Sequence, residues 1–248
     1  MKIKSKKIIF DEINHCFFDR RNGNSSSLYS SLNGSKFVGD EESLVRQNLD
    51  IVKKDLAADK IITLNQIHSN LCVIADENTE ADLKADALVT QASRIAIGIL
   101  TADCAPILLC DPLNHIVGAA HAGWRGAVGG ILATTVQKMK ELGSDPSKIF
   151  AAIGPCILKQ SYEVDDNFRN NFTNDDDDCF CIIDQRLHFD LPKYCCNRLL
   201  ELEIPESNID LLNVDTYSNQ EDYFSYRFAN QHTNGICGRN ISAICLGK

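Results

Sequence analysis

The stretch GILTADCAPILLCDPLNHIVGAAH, residues 98–121, decides how this chain folds. Two apolar runs, PILLC (106–110) and HIVGAA (115–120), flank Asp111–Pro112–Leu113–Asn114. Proline at the second position of such a quartet favours a tight turn, so the pair reads as an antiparallel hairpin. With a symmetric turn, Cys104 stands opposite His121. Directly opposed residues share a sheet face, with Cβ atoms about 4.5–5.5 Å apart. Pro106 interrupts a regular ladder and can introduce a bulge that moves the register by one residue.

Just beyond, GAAHAGWRGAVGG (118–130) sets the only tryptophan, an arginine and a histidine among Gly, Ala and Val. Small residues let backbone segments approach closely and leave space beside the larger side chains. His121 and Arg125 are therefore presented rather than packed. Trp124 reads either as the wall of a pocket or as a core anchor.

Working outward, KIITL (60–64), LCVIA (71–75) and RIAIGIL (94–100) read as further strands. Several of these runs are apolar at consecutive positions, which predicts cover on both faces. Helical periodicity predicts helices over 40–56, with Asp40 as N-cap, over 128–142, and over 191–202 with Pro192 in the first turn. The pattern is that of an α/β or α+β protein with its sheets under helices. No repeat or Pro/Gly-rich linker divides the chain, so residues 1–248 are expected to form one domain. NGNSSS (22–27) reads as a polar loop, and NDDDD (174–178) as a solvated acidic one.

The net charge of -9 argues against a nucleic-acid surface but leaves room for a local anion pocket. The basic start MKIKSKK lacks the apolar region of a signal peptide. No run reaches the ~18 apolar residues of a membrane span. The eleven cysteines are odd in number, so they read as mostly buried free thiols in a reducing cytoplasm.

Chemistry concentrates on Cys104, His121 and His68, the last in NQIHSN (65–70). His115 at the turn reads as a surface residue, His188 as structural, and His232 as part of a polar loop. One Cys and two His suit two chemistries. They can hold Zn²⁺ with a fourth position left to water. Alternatively, Cys104 can act as a nucleophile with His121 as its base. A P-loop, a G-x-G-x-x-G run and the C-x-x-C of zinc deaminases are all absent.

These boxes together closely resemble one family, the multicopper-oxidase-like laccase-domain or polyphenol oxidase proteins, better described as zinc-dependent purine nucleoside phosphorylases. The resemblance is carried by NQIHSN, ADALVT (85–90), TADCAPILL (101–109), AAHAGWRG (119–126) and IGPCI (153–157). SLYSSLN (27–33), VGDEESLVRQN (38–48) and TYSNQEDYFSYR (216–227) extend it over nearly the whole chain. It implies a four-layer α-β-β-α sandwich with mixed sheets, an α+β fold. It also implies that His68, Cys104 and His121 are zinc ligands. The implied reactions are phosphorolysis of adenosine, inosine, guanosine and S-methyl-5'-thioadenosine, and deamination of adenosine to inosine.

On this resemblance Arg20 and Arg125 steady phosphate, and Gln66 bonds a ligand histidine or the substrate. Asp103 is either a general acid/base beside the metal ligand or a turn-capping carboxylate. The chain departs from the family pattern at Asp19, Asn22 and Phe228, and Arg239 matches the terminal arginine only after a gap. Three rivals remain: a Cys-His hydrolase or deamidase, copper-dependent phenol oxidation, and a non-catalytic partner protein with structural zinc. The third requires a fourth ligand such as Cys156. Copper chemistry of the blue type favours an axial Met, and only Met1 and Met139 are present.

Overall fold

Ile95–Thr101 does not pair with the hairpin that follows it. In the computed structural model, which describes residues 2–247, that strand and Ala105–Asp111 lie in different sheets. The chain crosses between the sheets at residues 102–104, and Asp103 takes a left-handed conformation there (φ 83°).

In chain order the strands are β1 (Lys2–Ile3), β2 (Ile13–Phe18), β3 (Lys60–Ile62), β4 (Cys72–Ile74), β5 (Ala87–Thr90), β6 (Ile95–Thr101) and β7 (Ala105–Asp111). They continue as β8 (Ile116–Ala122), β9 (Phe150–Ile153), β10 (Phe180–Ile183), β11 (Arg186–Phe189), β12 (Ile209–Leu211) and β13 (Asn240–Leu246). The helices are α1 (Glu42–Asp55), α2 (Trp124–Val128), α3 (Ile131–Glu141), α4 (Leu191–Glu201) and α5 (Tyr226–His232).

One large sheet has the order β1-β2-β13-β6-β3 and the other β12-β9-β7-β8-β5-β4, while β10 and β11 form a separate two-stranded hairpin. Both large sheets are mixed: β3 joins β6 in parallel, as β12 joins β9 and β4 joins β5, while the central pairs are antiparallel. The sheets pack face to face, with Phe17, Ile97, Ile99 and Ile244 against Leu108, Val117 and Ala152. Val52 and Leu56 at the end of α1 cover the outer face of the first sheet. Helices α3 and α4 cover the second through Leu132, Val136, Met139, Cys195 and Leu199. The result is the α-β-β-α sandwich that the family resemblance implied. It explains the uninterrupted apolar runs, since β6, β7 and β8 are buried along their whole length. Each buried Leu or Ile contributes about 1.5–3 kcal/mol relative to exposure. Among the described residues, no helix is long and apolar enough to cross a membrane.

Several expectations need correction. Ala105 pairs with Ala122 and Pro106 with His121, so Cys104 does not stand opposite His121. The cause lies in the turn. The Asp111 carboxylate accepts the N–H groups of Leu113 and Asn114, and His115 follows with φ 51°. Four residues then separate Asp111 from its partner Ile116. A displacement of two residues keeps both side chains on one face, whereas a displacement of one would have reversed it. The helix expected over 128–142 is split, because Gly130 adopts φ 89° and α3 starts only at Ile131.

Helix α1 begins after Glu41 rather than Asp40. Asp40 instead accepts from Ser25 Oγ and Asn33 Nδ2, tying the preceding loop to the helix. The acidic run is not wholly solvated: Thr173 and Asp176 form a capping box, and buried Asp176 pairs with Arg198 at 3.1 Å. His232 closes α5, stacked 4.0 Å from Phe228, rather than lying in a loop.

Gly154, after β9, lies directly against the ring of Phe17 of β2. A Cβ at Gly154 would lie 2.1 Å from Phe17 Cδ1. Gly154→Ala is therefore expected to destabilise the protein by about 1–3 kcal/mol through overpacking. Denaturant unfolding, compared with Gly98→Ala, where a Cβ would meet nothing nearer than 3.4 Å, separates this clash from a general loss of glycine.

Candidate metal centre and its cleft

Three side chains from distant segments converge at one end of the sheets. His68 follows β3, Cys104 sits on the bend between β6 and β7, and His121 is near the end of β8. Their ligand atoms all lie within 4.8 Å of one another, and this is the one such His/Cys/carboxylate group among the described residues. His68 Nε2 is 3.9 Å from Cys104 Sγ, and the two imidazole rings meet edge-on with centroids 4.8 Å apart.

Asp86, immediately before β5, organises this cluster and was not singled out by the sequence reading. Its buried carboxylate accepts His121 Nδ1–H at 2.8 Å, leaving Nε2 free to face Cys104 and a metal. The same carboxylate accepts the backbone N–H groups of Ile67, His68 and Ser69, and the Ser69 hydroxyl at 2.6 Å. This cradle holds His68 at φ 59°. Burial opposes ionisation of Asp86, but the bonds from His121 and Ser69 outweigh it and bring the group down to about 2. The sequence signal was a lone Asp at the head of an apolar run in ADALVT.

The electrostatics of the cluster favour a charged pair. Burial pushes the Cys104 thiol up, but the charge and hydrogen bond of His121, aided by His68, bring it below its ordinary value. Burial pushes His121 down, yet the Cys104 thiolate and the bond to Asp86 raise it. A metal ion can take the place of the shared proton. Two imidazoles and a thiolate are a donor set that suits Zn²⁺ with one position left open. Gly123 makes the convergence possible: a Cβ there would lie 2.9 Å from Cys104 Sγ and 3.0 Å from His68 Cδ2. No fourth ligand side chain joins the group among the described residues. Cys156 is packed in the core beneath the second sheet, as is Met139, while Met1 lies outside the described residues.

The cluster lies between two lobes of a cleft. One lobe, of about 490 Å³, extends past Asn65, Thr101 and Arg239. The other, of about 380 Å³, is walled by Trp124, Tyr162, Ile157 and Leu191. His68, Cys104, Arg125 and Tyr226 border both. Trp124 serves both of its suggested roles, because it lines this second lobe and packs on Phe168 with centroids 5.0 Å apart. Exposed Arg125 stacks on the Trp124 ring at 4.5 Å.

The remaining sequence candidates are placed differently. Gln66 borders the first lobe, but its amide clamps the backbone of Leu100 through both Nε2 and Oε1 (2.7 and 2.8 Å). The Asp103 carboxylate accepts from Thr216 Oγ1 at 2.7 Å and from the Arg227 backbone N–H at 2.6 Å. Burial raises it, against those hydrogen bonds. Arg20 lines neither lobe: it stacks on Phe224 at 4.1 Å and donates to the carbonyls of Ser30 and Gln220. His115 is exposed at its turn, and buried His188 donates from Nδ1 to the Lys159 carbonyl at 2.6 Å.

Comparison with known proteins finds relatives in family, in sequence and in fold. A family model described as multi-copper polyphenol oxidoreductase laccase matches residues 14–247. The purine nucleoside phosphorylase RP494 of Rickettsia prowazekii is 34% identical over 228 residues, covering 89% of this chain and 90% of its own. Adenosine deaminase RL5, from an unknown prokaryotic organism, is 38% identical over 151 residues, 56% of this chain and 58% of its own. The crystal structure of Neisseria meningitidis protein NMB0706 superposes with a TM-score of 0.85 at 30% identity, covering 100% of this chain and 99% of that one.

Two substitutions probe the metal centre without touching a ligand. Asp86→Asn is expected to weaken metal affinity about 10–100-fold, the usual cost of losing a ligand's carboxylate partner. Gly123→Ala should weaken it as well, by forcing Cys104 and His68 apart. Titration with Co²⁺, whose visible absorption reports tetrahedral thiolate coordination, measures both. Wild-type affinity in either variant would contradict the role given to that residue.

Proposed function

This chain belongs to the multi-copper polyphenol oxidoreductase laccase family, and on that premise we propose that it is a zinc-dependent purine nucleoside phosphorylase that also deaminates adenosine. Its substrates in this reading are adenosine, inosine, guanosine and S-methyl-5'-thioadenosine, together with phosphate. The observation that carries the reading is the position of His68, Cys104 and His121 between two lobes of one cleft. Each lobe can take one part of a two-part substrate.

His68, Cys104 and His121 would hold the zinc ion, which supplies a Lewis acid or a hydroxide when bound. Asp86 orients His121 and fixes the backbone of His68. Trp124 and Tyr162 offer aromatic walls to a purine. Arg125, bordering both lobes, is placed to receive phosphate through its guanidinium fork. Asp103 acts as a positioning residue in this scheme, since its oxygens already hold Thr216 and the start of α5. Arg20, away from the cleft, braces the loops that end at Ser30 and Gln220. A cytoplasmic location fits the eleven free thiols.

The lowered Cys104 thiol beside His121 also favours a second reading, a Cys-His hydrolase. Against it, two imidazoles converge on the one sulfur, where a nucleophile needs a single base. The three-ligand set likewise speaks against purely structural zinc, which is normally closed by four protein ligands.

Purified protein incubated with adenosine, with and without phosphate, tests the reading. Phosphate-dependent adenine is expected, with inosine formed in both samples. Cys104→Ala should lose bound zinc and turnover together. Activity that persists in metal-free buffer and is abolished by thiol alkylation would transfer the assignment to the hydrolase.

A further inference from the structure

Thr101 ends β6, three residues before Cys104, and lines the larger lobe. It is 1% exposed, and its hydroxyl has no hydrogen-bond partner among the described residues. Buried hydroxyls are normally paired, because an unmatched one forfeits its hydration. Gln66, in the same lobe, is committed to the Leu100 backbone through one N–H and its oxygen. The backbone of Thr101 itself belongs to the ladder with Asn240 of β13, so the side chain is carried on a rigid strand end.

The charge around this hydroxyl is unusual for the molecule. The chain carries 34 Asp and Glu against 25 Lys and Arg. Yet the larger lobe is bordered by Arg125 and Arg239 and, among the described residues, by no carboxylate. Arg239 is held in place there by Nη1 donating to the carbonyls of Cys237 and Gly238, both at 3.0 Å. In the other lobe the charged groups are mixed, with Asp103 beside Arg227 and Arg125. A buried, unpartnered hydroxyl on a rigid strand end, in a lobe that two arginines border, suits a tetrahedral oxyanion.

We infer that the larger lobe is the phosphate subsite, with the Thr101 hydroxyl donating to a phosphate oxygen and Arg239 completing the charge opposite Arg125. The inference rests on the phosphorylase reading and divides its substrates: phosphate on the Thr101 side of the metal cluster, the purine on the Trp124 side. Arg239, which matches the family's terminal arginine only after a gap, takes the place expected of Arg20.

The test uses inorganic phosphate as the probe. It is titrated into metal-free wild type, Thr101→Val, Thr101→Ser and Arg239→Gln, followed by calorimetry and thermal unfolding. The phosphate and adenosine KM values are then measured on the zinc-loaded proteins. Thr101→Val should melt no lower than wild type, because an unpaired hydroxyl gives way to a methyl group of similar shape. Its phosphate affinity should fall about tenfold, the scale of a lost hydrogen bond to a charged group. Its phosphate KM should rise in step while the adenosine KM holds.

Thr101→Ser should retain phosphate binding, and Arg239→Gln should weaken it at least as much as Thr101→Val. Wild-type phosphate affinity in both Thr101→Val and Arg239→Gln would overturn the subsite, as would a loss expressed in the adenosine KM alone. Should the wild type bind phosphate, lose it in these variants and yet release no adenine, the anion subsite stands and the phosphorylase reading falls.

Discussion

One buried carboxylate holds the candidate site together. Asp86 receives three consecutive backbone amides from the loop after β3 and the imidazole of His121 from β8. A single charged group thus fixes two of the three metal-ligating candidates and the left-handed turn at His68. Its desolvation is tolerable only because it accepts so many hydrogen bonds, and the same bonds keep it ionised. The third candidate, Cys104, depends on a different constraint, the crossing of the chain from one sheet to the other. Gln66 clamps Leu100 before the bend, and Asp103 within it holds Thr216 and the start of α5. The C-terminal segment is thereby fastened over the cleft that the bend opens.

The glycine-rich run after β8 can be understood from the same geometry. Gly123 is required because Cys104 and His68 occupy the volume a Cβ would claim. Gly130 is required because the chain turns through a positive φ between α2 and α3. Between them, Trp124 is anchored in a group of aromatic rings that includes Phe168 and Phe172. Arg125 stays at the surface, stacked on that anchored ring. Rigidity on one side and exposure on the other place a cation at the rim of both lobes.

Much of the layered fold could be read from local pattern. Several uninterrupted apolar runs predict strands buried on both faces, and β6, β7 and β8 are, while β3 and β4 lie where runs predict strands but at sheet edges, only partly buried. The pairing register was not readable to the residue. The Asp111 side chain captured two amides and lengthened the turn, a choice that composition does not reveal. The hairpin argument still brought Cys104 and His121 to one face, because the displacement was even. Strand β13, the centre of the first sheet, escaped notice: its seven residues follow a loop at the far end of the chain, with no hairpin partner beside them in sequence. Asp40 and Asp176 looked like a helix cap and a solvated charge, but each found a distant partner instead.

What the sequence determined by itself was the chemical inventory: which side chains can ligate, which segments must be buried, and where small residues leave space. Such properties are carried by each residue and its immediate neighbours, and they survive without knowledge of the fold. Only the tertiary structure decided which polar groups are free to act. Asp103, Gln66 and Arg20 have the right chemistry, yet their hydrogen-bonding atoms are engaged by backbone groups and Thr216. Asp86 and Thr101 stand inside the boxes ADALVT and TADCAPILL, but nothing local marks their roles, and they matter through what surrounds them. A hydrogen-bonding group is defined by its partner, and partners 35 or 113 residues away are brought together only when the sheets close.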